Sequence, residues 1–396
     1  MKVKVRSGDT LWKYSRWFGI PPAILEDANP HVKPESLSVG EEIAIPGFLE
    51  ETYTIERGDT LYQLARRRNV SLQSLLLLNP GLVPENIPAG IRIRLPRRVT
   101  APILSAPDSY TFEKLEEDIL RLQGLYPFIR AEKIGRSVNG LPIYEIMIGR
   151  GERVIHFNGS FHANEWITTP VLMHLINTYL LALCGGGAIR GVQVLPLYNA
   201  NTLSVVPMVN PDGVNLVLKG PEGTEERERL MAINGGSTDF SRWKANIRGV
   251  DLNNQFPANW EIEKERKEPK FPAPRDYPGE SPLTEPEAIA MADLAQRRQF
   301  ARLFAFHTQG KEFYWGYEGF EPPESEWLAQ ELAKVSGYLP VRYVDSHAGY
   351  KDWFIMVYRR PGFTFELGLG ENPLPISQFS VIVEEMLGVF LVALYR

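Results

Sequence analysis

Four side chains in this sequence could together hold a divalent cation and a water molecule. His162 and Glu165 lie in Phe161-His162-Ala163-Asn164-Glu165, His307 in Ala305-Phe306-His307-Thr308-Gln309, and Glu366 in Phe363-Thr364-Phe365-Glu366-Leu367-Gly368. A catalytic zinc site takes three nitrogen or oxygen ligands from the protein and leaves a fourth position for water. It also needs a base within reach of that water. His162, Glu165 and His307 are the candidate ligands and Glu366 the candidate base, so the implied chemistry is metal-assisted hydrolysis. A His and a Glu three apart can reach one ion from a strand-to-helix turn, whereas only folding can bring in His307. Of the other histidines, His31, His156 and His174 read as a turn position, a strand interior and a helix face.

The elements that must position these residues run from Tyr110 to Arg396. Leu115, Ile119, Leu120, Leu122 and Leu125 follow a helical period over Thr111 to Tyr126. Val154 to Asn158, Val192 to Leu197, Ser204 to Val209, Leu303 to His307 and Phe363 to Glu366 read as strands. Glu165 to Cys184, Glu285 to Phe300 and Val381 to Tyr395 read as helices. This alternation predicts an α/β domain with a buried, largely parallel or mixed sheet. Ligands in such folds lie at the carboxyl ends of strands, which is where His162 and His307 fall.

Composition sets outer bounds. The 396 residues fit two or three domains, and 44% hydrophobic with 23% charged residues is ordinary for a globular chain. A net charge of −5 and a pI near 5.8 argue against nucleic acid as a partner, which calls for a basic surface. The single cysteine, Cys184, cannot form an internal disulfide and reads as a buried thiol. Met1-Lys2-Val3-Lys4-Val5-Arg6 leads straight into patterned structure with no apolar secretory stretch after it. The apolar run Val171 to Leu183 is interrupted by His174, Asn177 and Thr178 and is shorter than the roughly 20 residues that span a bilayer. The expectation is no signal peptide, no membrane insertion, and a cytoplasmic or sporulation-compartment location.

The first hundred residues repeat at an offset of 50. Gly8-Asp9-Thr10-Leu11-Trp12 recurs as Gly58-Asp59-Thr60-Leu61-Tyr62, Asn29-Pro30 as Asn79-Pro80, Pro34-Glu35 as Pro84-Glu85, Gly40 as Gly90, and Ile45-Pro46 as Leu95-Pro96. Each copy predicts a strand (Lys2 to Val5, Thr52 to Ile55), a helix capped by Asp or Thr, an Asn-Pro turn, a second short helix and a closing strand ending in Pro. This β-α-α-β pattern resembles the LysM module, over residues 2–47 and 52–97. The resemblance implies binding of N-acetylglucosamine-containing glycan, peptidoglycan or chitin, beside the Asp-Thr turn, and two copies imply avidity. Residues 98–108, with Pro102 and Pro107, read as a short, stiff linker to a domain at 109–396.

The candidate ligands keep specific company, in order: Phe161-His162-Ala163-Asn164-Glu165-Trp166, Val209-Asn210-Pro211-Asp212-Gly213, Gly249-Val250-Asp251-Leu252-Asn253, Tyr277-Pro278-Gly279 to Glu285-Pro286-Glu287, Phe306-His307 and Thr364-Phe365-Glu366-Leu367. That succession resembles the zinc metallocarboxypeptidase family of carboxypeptidases A and B. The resemblance implies a mixed sheet of roughly eight strands flanked by helices, one zinc ion on His162, Glu165 and His307, and Glu366 as the proton-transferring base. It also implies a cation that stabilises the oxyanion, either Lys244 or Arg248. A phenol on a mobile loop upstream of the base is implied too: Tyr343 aligns with it if one inserted residue is allowed, and His347 and Tyr350 could also cover the site.

One departure bears on substrate. The family carries Asn-Arg after the Gly-Val-Asp segment to hold a terminal carboxylate, whereas this chain has Asn253-Asn254. An asparagine lacks the bidentate, charge-assisted grip of arginine. The chain should therefore be a poor ordinary exocarboxypeptidase. Two LysM-like modules before such a domain resemble the γ-D-glutamyl-L-diamino-acid endopeptidases of spore-forming bacteria. That implies peptidoglycan glycan and stem peptides as partners, with cleavage of the γ-D-glutamyl–meso-diaminopimelate bond. The alternatives are a wall carboxypeptidase trimming stem termini and a glycan-binding protein with an inactive enzyme domain.

Overall fold

The computed structural model describes residues 1–104, 108–221 and 227–395. They form two compact units, Met1–Leu104 with Ile119–Arg130 and Ile176–Pro196, and Ser105–Asp118 with Ala131–Leu175 and Leu197–Arg396.

The first unit carries the repeat. Lys2–Lys4 pairs antiparallel with Glu42–Ala44, and Phe48–Thr54 with Arg92–Arg98. Helices Leu11–Phe18 and Pro22–Asp27 fill the first copy, Leu61–Arg67 and Leu72–Leu78 the second. The repeated residues have matching roles. Thr10 and Thr60 cap the first helix of each copy, accepting the N–H of Lys13 and Gln63 at 3.2 Å. Asp9 accepts from Arg6 N–H and the Tyr14 hydroxyl, as Asp59 does from Glu56 N–H and the Tyr53 hydroxyl. Asn29 donates to the Leu25 and Ala44 carbonyls and accepts the Ala44 N–H. Asn79 does the same with Leu75 and Arg94, so each asparagine ties a helix end to the closing strand.

The expected linker is partly bound rather than free. Val99 N–H donates to the Gly47 carbonyl, and Asn177 Oδ1 accepts the N–H groups of Ile103 and Leu104 at 2.7 and 3.1 Å. Its residues 105–107 lie outside the described residues. Gly47 has φ +73°, and a Cβ there would meet Cys184 Cβ at 2.8 Å, so glycine is required on both counts. Cys184 itself is a buried free thiol.

The second unit is built on a mixed sheet of eight strands. In chain order these are β1 (Arg130–Arg136), β2 (Pro142–Gly149), β3 (Arg153–Asn158), β4 (Asn201–Val206), β5 (Arg302–His307), β6 (Glu312–Tyr314), β7 (Leu339–Val341) and β8 (Gly362–Glu366). Their spatial order is β7-β6-β8-β5-β3-β4-β2-β1. The central strands β4, β3, β5 and β8 run parallel, while β2 and β6 pair antiparallel beside them. All six residues of β5 are buried, as expected for a strand covered on both faces. Aromatic rings pin the register: Phe157 stacks on Phe304 at 4.8 Å, Phe304 on Phe363 at 5.1 Å, and Phe313 on Phe365 at 4.6 Å. That register sets His307 directly opposite Glu366 at the carboxyl ends of β5 and β8.

Some elements differ from the sequence expectation. Val192 to Leu197 is not a strand: only Val192–Gln193 pairs, and Val194–Ala200 is helical. Pro196 falls in the first turn of that helix, where its missing N–H leaves no bond unmade. The fourth strand begins at Asn201, three residues before the expected start. The stretch from Glu165 splits into a 3-10 turn, Ala163–Glu165, and helix Thr168–Gly185. Segments 163–185 and 376–394 are long and apolar enough to cross a bilayer by length and composition. In the first, 78% of the apolar window is buried, the mark of a core helix.

One buried acid, Glu287, should make this unit pH-sensitive. Glu287 Oε1 accepts the Val138 N–H at 3.1 Å, yet burial, aided by Asp212 and Glu285, pushes its pKa up to about 7. The folded protein therefore binds this proton more tightly than the unfolded chain, whose glutamate has its ordinary value of 4.5. The resulting stability is complete below that value and is lost as pH rises through about 7. Urea unfolding at pH 5 and pH 8 measures it: Glu287→Gln should abolish about 2.5 kcal/mol of the wild-type difference. An unchanged difference would place the sensitivity elsewhere.

Candidate metal centre

Strand β3 ends at Asn158, and the chain turns sharply before reaching His162. Ser160 (φ +49°) donates its N–H to Thr168 Oγ1 at 2.8 Å, and that hydroxyl donates to the Glu165 carbonyl at 2.9 Å. The turn is thus tied to the helix that follows. The Asn-Pro-Asp-Gly segment supports it from outside. Asn210 caps helix Pro211–Lys219 and donates to the Phe161 and Ala245 carbonyls. Gly213 lets that helix approach, since a Cβ there would meet the Ala163 Cβ at 2.8 Å. Asp212 anchors the helix by accepting from the Ser137 hydroxyl and the Asn139 N–H.

The ligand atoms converge as the sequence implied. One donor atom each from His162, Glu165 and His307 lie within 4.8 Å of one another, and all three residues are buried. His162 Nδ1 is 2.9 Å from Glu165 Oε1, His307 Nδ1 is 3.0 Å from Glu165 Oε2, and the two Nδ1 atoms are 3.1 Å apart. A cation between them would satisfy both ring nitrogens and the carboxylate at once. The electrostatics agree. Burial disfavours the His162 imidazolium, but Glu165 and Asp251 outweigh it and hold the group up to about 9. The donor set is that of a zinc site, and these three residues would hold the ion.

Behind His162 lies a residue the ligand motif did not reveal. Asp251, fully buried, sits 3.2 Å from His162 Nε2 through Oδ1 and 3.0 Å from Lys244 Nζ through Oδ2. Burial alone would raise Asp251, but Lys244 and His162 hold it well below the usual carboxylate range. It thereby fixes His162 with Nε2–H outward to the carboxylate and Nδ1 free for a metal. The visible signal was the Gly249-Val250-Asp251 segment itself. Gly249, at φ +79°, lies so close to Ala273 and Pro272 that a side chain would clash.

Glu366 completes the group, half-buried beside the ligands. Burial, together with the neighbouring Glu165 carboxylate, pushes it up to about 8. Two cavities meet here. Both are lined by His162, Lys244, Tyr314 and Glu366. The larger, about 450 Å³, is also lined by Asn164, Arg242, Arg275, Gln309, Glu371 and Asn372. The smaller, about 220 Å³, has Asn253, Asn254, Lys267, Ser346, Lys351 and Asp352 among its walls.

The structure separates the remaining candidates. Lys244 reaches the site, and its ammonium is held charged: burial opposes this, but Asp251 and Asp276 prevail. Arg248 does not reach it; it faces Glu285 at 3.5 Å and lines a different cavity. Asn253 and Asn254 line the smaller lobe as expected. Tyr350 does not, being fully buried with its hydroxyl on the Met291 carbonyl and its ring against Phe256. Tyr343 turns its hydroxyl to Glu321, and His347 pairs with the Tyr317 hydroxyl. Their loop reaches the smaller lobe through Val344, Ser346 and Gly349 instead. The phenol that lines both lobes is Tyr314, at the end of β6, a strand too short to stand out in the sequence.

Comparison with known proteins follows the same lines. The zinc carboxypeptidase family model matches residues 115–388, and the LysM domain model matches 3–46 and 53–96. γ-D-Glutamyl-L-diamino acid endopeptidase 1 of Lysinibacillus sphaericus is 57% identical over 396 residues, covering 100% of both chains. The uncharacterized protein YqgT of Bacillus subtilis is 48% identical over 291 residues, covering 72% of this chain and 77% of that one. Bovine thrombin-activatable fibrinolysis inhibitor, solved in complex with tick carboxypeptidase inhibitor, shares the fold with a TM-score of 0.55 at 18% identity, covering 72% of this chain and 96% of that one.

The carboxylate behind His162 should matter to metal binding. Asp251→Ala is expected to weaken zinc affinity about 10- to 100-fold in a chelator competition, and Arg248→Ala to leave it unchanged. Wild-type affinity in a folded Asp251→Ala protein would show that His162 needs no such anchor.

Proposed function

Because the chain belongs to the zinc carboxypeptidase family and carries two LysM domains, we propose that it is a peptidoglycan endopeptidase cutting the γ-D-glutamyl–diamino acid bond of stem peptides. One observation carries the preference for this bond over a free C-terminus. Position 254, in the smaller lobe, holds an asparagine where the family's arginine would grip a terminal carboxylate. The full-length identity to the Lysinibacillus enzyme supports the same reading. The LysM modules support a wall-bound substrate. Trp12 and Tyr62, at equivalent positions just after the Asp-Thr turns, are each 66% exposed and offer flat apolar faces to a sugar.

Zinc on His162, Glu165 and His307 would supply Lewis acidity and lower the pKa of a bound water from 15.7 to roughly 7. The chain's own groups do the rest. Glu366 takes the proton from the attacking water and passes it to the leaving nitrogen. Its placement opposite His307 across the sheet fixes that short transfer. Lys244 offsets the negative charge that develops on the scissile oxygen, and Asp251 keeps both Lys244 and His162 oriented. Asn253 and Asn254 hold polar groups of the diamino acid by hydrogen bonds.

Mass spectrometry of digested muropeptides tests the reading. The native protein should release fragments beginning with the diamino acid, and chelation of the metal should stop release. Glu366→Ala should lose activity by several orders of magnitude while retaining zinc. Trimming of terminal residues alone, with γ-linkages intact, would overturn the proposal. Lys244→Met should lower kcat about 10²- to 10³-fold, with Arg248→Ala near wild type. The reverse ranking would return the oxyanion role to Arg248.

A further inference from the structure

The two lobes that meet at the metal centre carry different charge. A substrate with its scissile carbonyl at the ligands must send one side into each. The smaller lobe is mixed, with Lys267 and Lys351 beside Asp251 and Asp352. That suits a diamino acid, which carries ammonium and carboxylate groups together. The larger lobe presents two arginines, Arg242 and Arg275. We propose that these two arginines bind a free carboxylate on the acyl side of the scissile bond, so that the enzyme reads the γ-linkage itself. The inference rests on the bond assignment above and names the group that specifies it.

A γ-glutamyl amide differs from an ordinary peptide in one charged feature. Its α-carboxylate stays free, four carbon–carbon bonds from the reacting carbonyl, or roughly 5 Å when extended. An α-linked residue without an acidic side chain has no charge in that place. The acyl side also carries the stem's attachment to the glycan strand, so it needs the larger lobe with the open rim.

The fold brings the two arginines together. Trp243 is buried, with Nε1 donating to the Asn246 carbonyl at 3.1 Å. The next two N–H groups, of Lys244 and Ala245, both donate to the Pro274 carbonyl, at 2.8 and 2.9 Å. Ala273 N–H donates to the Gly249 carbonyl at 3.0 Å. Segments 242–245 and 273–275 are therefore laced side by side, with Arg242 and Arg275 flanking the join. The oxyanion cation Lys244 sits on the same segment.

Both arginines can accept a substrate carboxylate. Arg242 Nη2 faces Glu371 at 2.8 Å, but their side chains are 77% and 82% exposed, so that pair is weak and exchangeable. Arg275 uses Nε for Asp276 at 2.9 Å, which leaves its terminal nitrogens for a forked contact.

Two synthetic stems separate the outcomes: L-Ala-γ-D-Glu-meso-diaminopimelate, and the same peptide with the α-carboxylate converted to a carboxamide. Wild type should cleave the free acid at least 10-fold faster by kcat/KM. R242A/R275A should lose that preference by slowing only the free acid, and R242K/R275K should restore part of it. Equal cleavage of both stems by wild type, or equal slowing of both by R242A/R275A, would overturn the inference and leave the bond assignment standing. Cleavage of neither stem by wild type would sink both.

Discussion

The site depends on one buried carboxylate shared by an imidazole and an ammonium. Asp251 gives one oxygen to His162 and the other to Lys244, and Asp276 meets Lys244 from its far side. Breaking a buried ion pair by removing one partner costs about 3–5 kcal/mol, because the other charge is stranded. The loops bearing residues 162, 244, 251 and 276 are therefore locked to one another whether or not substrate is present. A metal ligand and the cation nearest the scissile oxygen take their orientation from the same atom pair. Neither can shift without the other, which is the kind of preorganisation hydrolysis needs.

Around this chain of charges the sheet does a simpler task. Parallel strands carry β5 and β8 to the same edge, and stacked phenylalanines hold their register. A one-residue slip would turn Glu366 to the opposite face, away from His307. Glu366 is thus aligned by aromatic packing away from the ligand cluster. The repeated unit at the N-terminus shows similar economy: one aspartate closes the first turn, one threonine caps the helix, and one asparagine joins helix to strand in each copy.

The grouping of His162, Glu165, His307 and Glu366 was legible because each sits in a short, ordered motif at or just after a strand end. The eight-stranded mixed sheet was legible in outline for the same reason, through its long apolar strands. Pointing direction was not legible. Tyr343 and Tyr350 lie seven residues apart upstream of Glu366, yet one turns its hydroxyl to Glu321 and the other buries its ring in the core. Arg248 and Lys244 lie four residues apart, and only burial against Asp251 decides between them. Tyr314 and Arg275 were missed because a three-residue strand and a loop give no periodic signal. Val192 to Leu197 misled because β-branched residues opened a segment whose proline falls in a helix's first turn.

The asparagine at position 254 changes more than one contact. A single arginine fixing a free carboxylate defines where a chain must end, since nothing may extend past it. Here the positive charge is instead spread over Arg242 and Arg275 in one lobe and Lys267 and Lys351 in the other. Charges on both sides of the ligands can hold a substrate by groups on either flank of the cut. Such a layout has no need of a terminus. It asks instead for carboxylates branching from the backbone on each side, which is the pattern that γ-linkage and a diamino acid create together.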